Sequence, residues 1–376
     1  MRVIYWTQLF WPYIGGEEVL ATKFIPAMRE LGYDFMVVTS HGSLELPDEE
    51  TYKGIPIRRF PFQSALENRS FVDMRTALHR LAILKTSFGP ALIHINFTDP
   101  SVFFHWQTIR AHPCPTLVST RVAMSAETAT PDSLLGRTLT SADWVTTISN
   151  AMLHDLHRLA PEIKERASLI YNALETPQAS PRPLCFENPT LLCLGRVVDD
   201  KGFDIAVKAL PRIIEKAPKV RLIIAGDGPA RPDLMNMSNA LGLSDAVKFT
   251  GWVNPAGVPD LINTADVVIV PSRCREAFGL VALQAAQMGR PVIATRVGGL
   301  PEVVLDNETG VLIAGEDHAA LSNAVLELLH NPAKANRLGE CGRFRARRIF
   351  SWESYLGKYD KLYQQIIRKG GYDDNR

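Results

Sequence analysis

Two basic residues on one short loop are suited to holding phosphate. Arg196 follows the apolar run Thr190–Leu194, and Lys201 comes five residues later, just before a helical pattern. Fixed cations stabilise the negative charge of phosphate oxygens, so this spacing predicts a loop that carries two cations to one anionic group. The same two residues are also compatible with an ordinary exposed turn between a strand and a helix.

An acidic residue and a glycine follow a second apolar run. Ala265–Val270 has the composition of a buried parallel strand, and Glu276 and Gly279 precede the next helical pattern. Doubly wound sheets bind ligands at such junctions, where the first backbone N–H groups of a helix attract phosphate. The alternative for Glu276 is a carboxylate that only stabilises the N-terminal end of a helix.

A pair of glycines marks a similar junction near the start of the chain. Gly15 and Gly16 lie between the apolar run Val3–Trp6 and a helical pattern, with Glu18 close behind. Glycine lets the backbone approach phosphate closely, because it has no side chain in the way. We therefore expect Gly15 and Gly16 to contact a diphosphate or an acceptor.

The scaffold for these loops is predicted by two series of alternating strand and helix patterns. The first series has strands at Val3–Trp6, Phe35–Thr39, Ile55–Phe60, Ala91–Ile95, Thr116–Ser119, Trp144–Ile148 and Ser168–Tyr171, with helices at Glu18–Leu31, Phe71–Lys85 and Asn150–Leu159. The second has strands at Thr190–Leu194, Val220–Ala225, Val247–Thr250, Val267–Val270 and Val292–Thr295, with a helix at Ile205–Ile214. Such alternation predicts an α/β fold with parallel sheets and crossover helices.

The domain organisation follows from composition. A proline-rich stretch, 175–189, predicts a linker between an N-terminal domain, 1–174, and a C-terminal domain, 190–350. The remaining residues, 351–376, predict a helix and tail, with Tyr355, Tyr359, Leu362 and Tyr363 on one side of the helix. A length of 376 residues is itself typical of two domains.

The bulk properties exclude several classes of function. The formal net charge is +1, so nothing in the overall charge favours nucleic-acid binding. The five cysteines include no Cys-x-x-Cys pair and the nine histidines show no metal-ligand spacing, which argues against zinc and a disulfide framework. The cysteines fit a reducing cytoplasm, and we expect no signal peptide and no membrane-spanning segment.

These segments resemble the retaining GT-B glycosyltransferases of family 4, group 1, which include the glycogen and sucrose synthases. The Glu-x7-Glu signature of that family corresponds to Glu276 and Gln284, and its Gly-Arg…Lys-Gly loop corresponds to Gly195–Gly202. The resemblance covers nearly the whole chain. It implies a GT-B fold: two Rossmann-like doubly wound domains that face a central cleft, with the C-terminal helix crossing back to the first domain.

The resemblance also implies roles for individual residues. Arg196 and Lys201 would hold the diphosphate of a nucleotide-sugar donor, and Glu276 would hydrogen-bond the donor sugar. Further donor contacts are expected from Gly15, Gly16, Val253, Phe278, Gly279, Leu280 and Gln284, and contacts with the sugar or acceptor from Glu18 and Arg121. The resemblance implies metal-independent chemistry without a cofactor.

Two positions depart from the pattern of the family. Gln284 replaces an acid that binds the nucleotide ribose, and its amide loses charge assistance on the order of 1 kcal/mol. Arg121 stands where family members carry a histidine near the sugar. It could bind an acidic sugar, a phosphorylated acceptor or the diphosphate, or it could lie outside the site in a different loop register.

The sequence thus predicts sugar transfer to a hydroxyl acceptor, which could be a cell-surface polysaccharide, a lipid-linked sugar or a small metabolite. The alternatives are a GT-B sugar-nucleotide epimerase and a catalytically weak protein that only binds a nucleotide sugar. The basic region 53–85, with the apolar stripe Phe71, Met74, Leu78 and Leu81, also suggests peripheral contact with an anionic membrane at its cytoplasmic face. The alternative for that stripe is a core-facing helix side.

Overall fold

The computed structural model describes residues 1–96, 99–124, 129–274 and 276–371. The chain divides into two compact units: Met1–Tyr171 joined by residues from Glu353 onward, and Asn172–Trp352. Each unit is an α/β structure around its own sheet. The predicted α/β fold class is therefore confirmed.

The first unit is built on an eight-stranded sheet in the order β3-β4-β2-β1-β5-β6-β7-β8. Its strands are β1 (Arg2–Trp6), β2 (Asp34–Ser40), β3 (Glu49–Tyr52), β4 (Ile55–Phe60), β5 (Leu92–Ile95), β6 (Thr116–Ser119), β7 (Trp144–Thr147) and β8 (Ala167–Leu169). Its helices are α1 (Gly16–Glu30), α2 (Phe62–Glu67), α3 (Phe71–Phe88), α4 (Val102–Gln107), α5 (Leu134–Ser141) and α6 (Asn150–Leu159), with 3-10 turns at Ile109–Ala111 and Pro161–Arg166. The strands pair in parallel except for the antiparallel pair β3–β4.

The second unit is built on a six-stranded parallel sheet in the order β11-β10-β9-β12-β13-β14. Its strands are β9 (Thr190–Leu194), β10 (Arg221–Ala225), β11 (Val247–Gly251), β12 (Val267–Val270), β13 (Val292–Thr295) and β14 (Gly310–Ile313). Its helices are α7 (Phe203–Lys216), α8 (Arg231–Ala240), α9 (Val258–Asn263), α10 (Leu280–Gln287), α11 (Leu300–Val303), α12 (His318–His330) and α13 (Pro332–Ile349), with 3-10 turns at Asp199–Lys201 and Pro255–Gly257.

The last helix, α14 (Trp352–Lys369), belongs from Glu353 onward to the first unit. It buries one side, as its pattern predicts, through Tyr355, Tyr359, Leu362, Tyr363, Ile366 and Ile367. The predicted return of the C-terminal helix to the first domain is therefore confirmed. No helix in the part of the chain that the structure describes is both long and apolar enough to cross a bilayer.

The strand order creates one switch point in each sheet. In the first sheet β1 lies between β2 and β5, and in the second sheet β9 lies between β10 and β12. Helices that follow the two strands at a switch point cross to opposite faces of the sheet, which leaves a crevice at the carboxyl ends of those strands. The loops after β1, β5, β9 and β12 are therefore the positions at which the fold favours ligands.

The proline-rich stretch 175–189 is packed onto the second unit. The backbone N–H of Arg182 donates to the side-chain oxygen of Asn263 at 3.1 Å, and that of Cys185 donates to the carboxylate of Asp266 at 2.6 Å. Burial raises the pKa of Asp266 above its ordinary value. The stretch is thus fastened along its length by polar contacts and belongs to the contact unit Asn172–Trp352.

Candidate active site

In the second unit, the structure brings Lys201 and Glu276 into direct contact. Lys201 ends the 3-10 turn after β9, and Glu276 lies in the loop between β12 and α10. The Nζ atom of Lys201 is 2.5 Å from Oε2 of Glu276, and the Ser272 hydroxyl donates to the same oxygen at 3.1 Å. Because β9 and β12 are neighbours at the switch point, both loops lie at the same edge of the sheet.

Two glycines allow the loops around Glu276 to pack backbone against backbone. A Cβ atom on Gly202 would lie 2.1 Å from the carbonyl oxygen of Pro271, and one on Gly298 would lie 2.0 Å from that of Glu276. Both glycines also have a positive φ, which a side chain would strain. The Gly299 N–H donates to the Glu276 carbonyl at 2.8 Å, so the loop after β13 holds the backbone of Glu276.

Arg273 joins the two loops that carry Lys201 and Glu276. Its guanidinium donates to the Asp204 carboxylate at 2.6 Å and to the Asp199 carbonyl at 2.9 Å, and it pairs with Glu316 at 2.5 Å. Burial alone would raise the pKa of Asp204, but the hydrogen bonds from Arg273 and Lys208 outweigh it and lower that pKa. Arg273 was not singled out from the sequence, because no motif marks an arginine that acts through its long-range partners.

Arg196 lies at the start of the same loop as Lys201. Its side chain is exposed, and it makes no hydrogen bond or ion pair with any residue that the structure describes. The turn Gly226–Pro229 packs against this loop, and the Val197 N–H donates to the Asp227 carbonyl at 2.9 Å. The backbone next to Arg196 is thus held in place, while its guanidinium is available to a ligand.

The start of α10 supplies backbone donors beside Glu276. Gly279 caps the helix with a φ of 105°, and Leu280 is its first residue, so the N–H groups of the first turn have no partner within the helix. The Phe278 side chain is buried and packs edge-on against Phe350, with ring centroids 5.5 Å apart. Phe278 therefore offers a ligand its backbone only, and Gln284 lies half-buried one turn along the helix.

Val253, one of the expected donor contacts, follows β11. Val253 is half-buried, and its neighbour Trp252 is 57% exposed, which is unusual for so large an apolar ring. Trp252 was not among the residues predicted to contact the donor. Aromatic rings often supply a stacking surface to planar ligands.

In the first unit, the glycine pair caps α1. Gly15 is the cap residue, and Glu18 folds back over it, so that a Cβ atom on Gly15 would lie 2.2 Å from Oε2 of Glu18. The absence of a side chain on Gly15 is what leaves room for the Glu18 carboxylate at this position. The Glu18 carboxylate therefore lies against the cap of α1, and the neighbouring acid Glu17 is the one that faces Arg121.

Arg121 lies buried in a polar network of the first unit. Its Nε atom donates to Oδ1 of Asn96 at 2.9 Å and lies 3.4 Å from the Glu17 carboxylate. Its Nη2 atom lies 3.3 Å from the hydroxyls of both Tyr355 and Tyr359 on α14. Arg121 thus joins the start of α1, the end of β5 and the C-terminal helix, an arrangement that none of the expectations for this residue included.

The structure therefore gathers the predicted site residues in two groups. Arg196, Lys201, Val253, Glu276, Phe278, Gly279, Leu280 and Gln284 lie in the second unit, and Gly15, Gly16, Glu18 and Arg121 lie in the first. Within the described ranges, no three His, Cys, Asp or Glu side chains are close enough together to hold a metal ion. The roles assigned to these residues stay predictions.

Known protein families and solved structures match this chain over most of its length. The family model described as glycosyl transferases group 1 matches residues 183–345, and the model described as glycosyltransferase family 4 matches residues 14–177. A sucrose-phosphate synthase from Thermosynechococcus elongatus has a similar structure, with a TM-score of 0.83 and 24% identity over 98% of this chain and 100% of that one.

Two curated relatives carry related names. A GDP-mannose-dependent alpha-(1-6)-phosphatidylinositol monomannoside mannosyltransferase of Mycolicibacterium smegmatis is 37% identical over 174 residues, or 45% of this chain and 46% of that protein. The match thus spans about half the length of the mannosyltransferase. The phosphatidylinositol N-acetylglucosaminyltransferase gpi3 subunit of Schizosaccharomyces pombe is 26% identical over 96% of this chain and 80% of that protein. From both family models and the matching architecture, the chain belongs to the group 1, family 4 glycosyltransferases and has the GT-B fold.

Proposed function

We propose that this protein transfers a sugar from a nucleotide-diphosphate sugar to an acceptor hydroxyl with retention of the anomeric configuration. The observation that carries the proposal is the contact between Lys201 and Glu276. Arg196 lies on the same loop as Lys201 and is exposed. This arrangement places two cations suited to a diphosphate and a carboxylate suited to sugar hydroxyls at the switch point of one sheet. The GDP-mannose dependence of the M. smegmatis relative supports the same class of donor.

In the proposed mechanism, the acceptor attacks from the side on which the diphosphate leaves. The bond between sugar C1 and the phosphate oxygen breaks while the bond between C1 and the acceptor oxygen forms, and the acceptor proton passes to the departing phosphate. Arg196, Lys201 and the N–H groups at the start of α10 stabilise the charge that develops on the leaving diphosphate. These fixed charges take the place of a metal ion, so we propose that none is required.

The direct test is to measure thermal unfolding with UDP, GDP, ADP, dTDP and their sugars, without added metal. A ligand at about 100 times its dissociation constant should add roughly 2.7 kcal/mol of stability, a shift of a few degrees. We expect one nucleotide series to give the shift. If no series does, donor binding is wrong. If one series does, but its nucleotide sugar is epimerised during incubation without any acceptor, the protein is an epimerase instead.

Replacing Gln284 with glutamate should tighten nucleotide binding by about five- to tenfold, because a carboxylate accepts from ribose hydroxyls more strongly than an amide does. The measurement is the dissociation constant of the preferred nucleotide by calorimetry. The matching 2′-deoxynucleotide is the control, since it lacks one ribose donor and should gain less. Equal affinity of Gln284→Glu and wild type for the ribonucleotide would show that this side chain does not face the ribose.

We also propose that the protein acts in the cytoplasm, in peripheral contact with an anionic membrane. Both curated relatives have names with phosphatidylinositol-based acceptors, which lie in membranes. On α3, Leu81 is buried, and Met74 and Leu78 are partly buried against the same core, so three of the four residues of the predicted stripe face inward. The exposed apolar residues are Phe71 at 85%, Val72 at 70% and Ile83 at 55%.

Some of the basic residues near this face are paired or buried, and others are exposed. Arg58 and Arg80 pair with acids and Lys85 is buried, so these add little to a positive surface. Arg69 and Arg75 are exposed beside Phe71 and Val72. An exposed aromatic flanked by arginines suits the boundary between lipid headgroups and acyl chains.

A vesicle flotation experiment tests this contact. The protein should float with phosphatidylcholine vesicles that contain phosphatidylserine and stay unbound with phosphatidylcholine alone. The variant Phe71→Ser should lose most of this binding, whereas Phe344→Ser, which changes another exposed phenylalanine at 64%, should retain it. Equal flotation of the two variants would argue against α3 as the contact.

A further inference from the structure

A groove of about 520 Å³ runs along α13 in the second unit. Its other wall is the loop between α11 and β14, which contributes Leu305 and Glu308. The apolar part of the lining consists of the half-buried Leu305 and Ile349 and of Phe344, whose side chain is 64% exposed. Burial of this ring by a partner would remove apolar surface from water, which favours association.

Three residues spaced four apart on α13 line the groove: Glu340, Phe344 and Arg348. This spacing places them on one face of the helix, one turn after another. Glu340 and Arg348 are exposed, and their side chains make no hydrogen bond or ion pair with any residue that the structure describes. They lie about 12 Å apart along the helix axis, which is too far for them to pair with each other. Both charges are therefore available to a partner.

The groove is acidic at the end where α13 begins. Arg337 donates at 3.2 Å to the backbone of the loop that carries Glu308, which places Glu308 beside the first half of the helix, close to Glu340. Glu308 is also exposed and has no partner among the described residues. Lys334, one turn earlier, is neutralised by Glu327 at 2.6 Å. The two acids thus outweigh the charge of Arg337 at this end.

The opposite end of the groove is basic. Arg347 and Arg348 are exposed, and neither has a partner within the described part of the chain. Arg345 adds to this charge, since its guanidinium donates to a neutral backbone carbonyl at 2.7 Å. Burial and the charge of Arg347 lower the pKa of Arg343, as expected where cations are close together without acids between them.

We propose that this groove is an interface between two copies of the chain, in which the two α13 helices lie antiparallel about a two-fold axis at Phe344. A two-fold axis brings the same surface of both copies together, so that if one residue contacts another, the reverse contact also forms. With the axis at position 344, position 340 of one copy faces position 348 of the other. Glu340 then meets the partner's Arg348, Arg348 meets the partner's Glu340, and the two Phe344 rings bury each other.

A second copy fits this charge pattern better than other occupants do. An anionic ligand or lipid surface would match Arg347 and Arg348, but Glu308 and Glu340 would repel it, and a cation would meet the opposite difficulty. The groove requires a partner with the same order of charges in the reverse direction, and an antiparallel copy of the groove has that order. A parallel arrangement would place acids against acids.

The test reverses the two charges separately and together. Sedimentation velocity of the full chain from low to high micromolar concentration measures dimer formation. Glu340→Arg and Arg348→Glu should each weaken the dimer by at least about tenfold, because either change places two pairs of like charges in the interface. The double variant restores opposite charges at both contacts and should dimerise as the wild type does. Phe344→Asp, which places two carboxylates at the axis, should stay monomeric.

Glu187→Arg and Arg212→Glu are matched controls, since they reverse exposed charges of the second unit outside the groove and should leave the dimer unchanged. Equal melting temperatures would show that all the variants fold. The flotation comparison of Phe71→Ser with Phe344→Ser is made at a protein concentration at which the wild type is monomeric, so that loss of the dimer does not enter it.

A wild type that stays monomeric at every concentration would overturn the proposal in favour of a partner of another kind. A dimer that survives Phe344→Asp would show that the copies meet on a different surface. Loss of the dimer in both single variants without recovery in the double variant would overturn the antiparallel pairing about Phe344. Dimer formation by the wild type, its loss in the single variants and its recovery in the double variant together would establish the interface.

Discussion

Replacing Arg196 with alanine should lower the turnover number by about 10²–10³-fold, the usual effect of removing one group that stabilises transition-state charge. Arg196 is exposed and has no partner among the described residues, so its guanidinium is free to meet the charge that develops on the diphosphate. The measurement is steady-state sugar transfer at saturating donor. Thermal unfolding should be unchanged, because exposed substitutions of this kind usually alter stability by less than about 0.5 kcal/mol.

The control is Arg212→Ala, which removes another exposed arginine of the second unit, from α7, and should leave turnover unchanged. Arg196→Lys separates charge from geometry, since lysine keeps the charge but loses the two-pronged guanidinium. Partial recovery with lysine would indicate that charge dominates. Turnover of Arg196→Ala within threefold of wild type would contradict the assignment of this residue to the diphosphate.

The contact between Lys201 and Glu276 is suited to rearrangement when a donor binds. The two side chains are 28% and 17% exposed, so water screens the pair and its contribution is modest, up to about 1 kcal/mol. A diphosphate can therefore share Lys201 at little cost, while Ser272 keeps hold of Glu276. The pair thus holds the two side chains in one place, where the proposed function requires both of them.

The second-unit group of site residues could be predicted because its loops follow strands with clear ends. β9, β12 and β13 have the predicted bounds, and their continuous apolar runs are typical of strands buried on both faces. By contrast, the edge strand β3 was missed. Its residues, Glu49–Tyr52, alternate between exposed and half-buried positions and carry charge, which is how natural sheets protect an edge and what hides it from a hydrophobicity pattern.

The parts that could not be predicted depend on contacts distant in sequence. A pocket of about 390 Å³ at the ends of β2 and β4 combines two ordinary polar segments, 40–43 and 63–67, and only the pairing of these strands brings the segments together. Arg121 was expected at the sugar, the acceptor or the diphosphate, or outside the site. Its contacts with Tyr355 and Tyr359, which are 234 and 238 positions away, were not predicted. No local pattern around Arg121 carries that information, because the partners are chosen by the return of α14.

Replacing Arg121 with methionine should destabilise the first unit by about 3 kcal/mol, the lower end of the cost of breaking a buried ion pair. Methionine fills much of the volume, so the loss reports on polar contacts. It takes the cation away from the Glu17 carboxylate and removes donors from Asn96 and from the two tyrosine hydroxyls of α14. Urea unfolding, followed by the fluorescence of tryptophans in the first unit such as Trp6 and Trp144, measures the change.

Two companion variants separate the network from a general loss of charge. Arg137→Met removes an arginine of the same unit that is 69% exposed and lies 3.9 Å from Asp132, and it should change stability by less than about 0.5 kcal/mol. Tyr359→Phe removes one hydroxyl of the network and should cost about 1–1.5 kcal/mol. The energies of Arg121→Met and Tyr359→Phe should not add in the double variant, because both act on one hydrogen-bonded cluster. Strict additivity, or a loss below about 1 kcal/mol for Arg121→Met, would show that Arg121 does not fasten the C-terminal helix to the first unit.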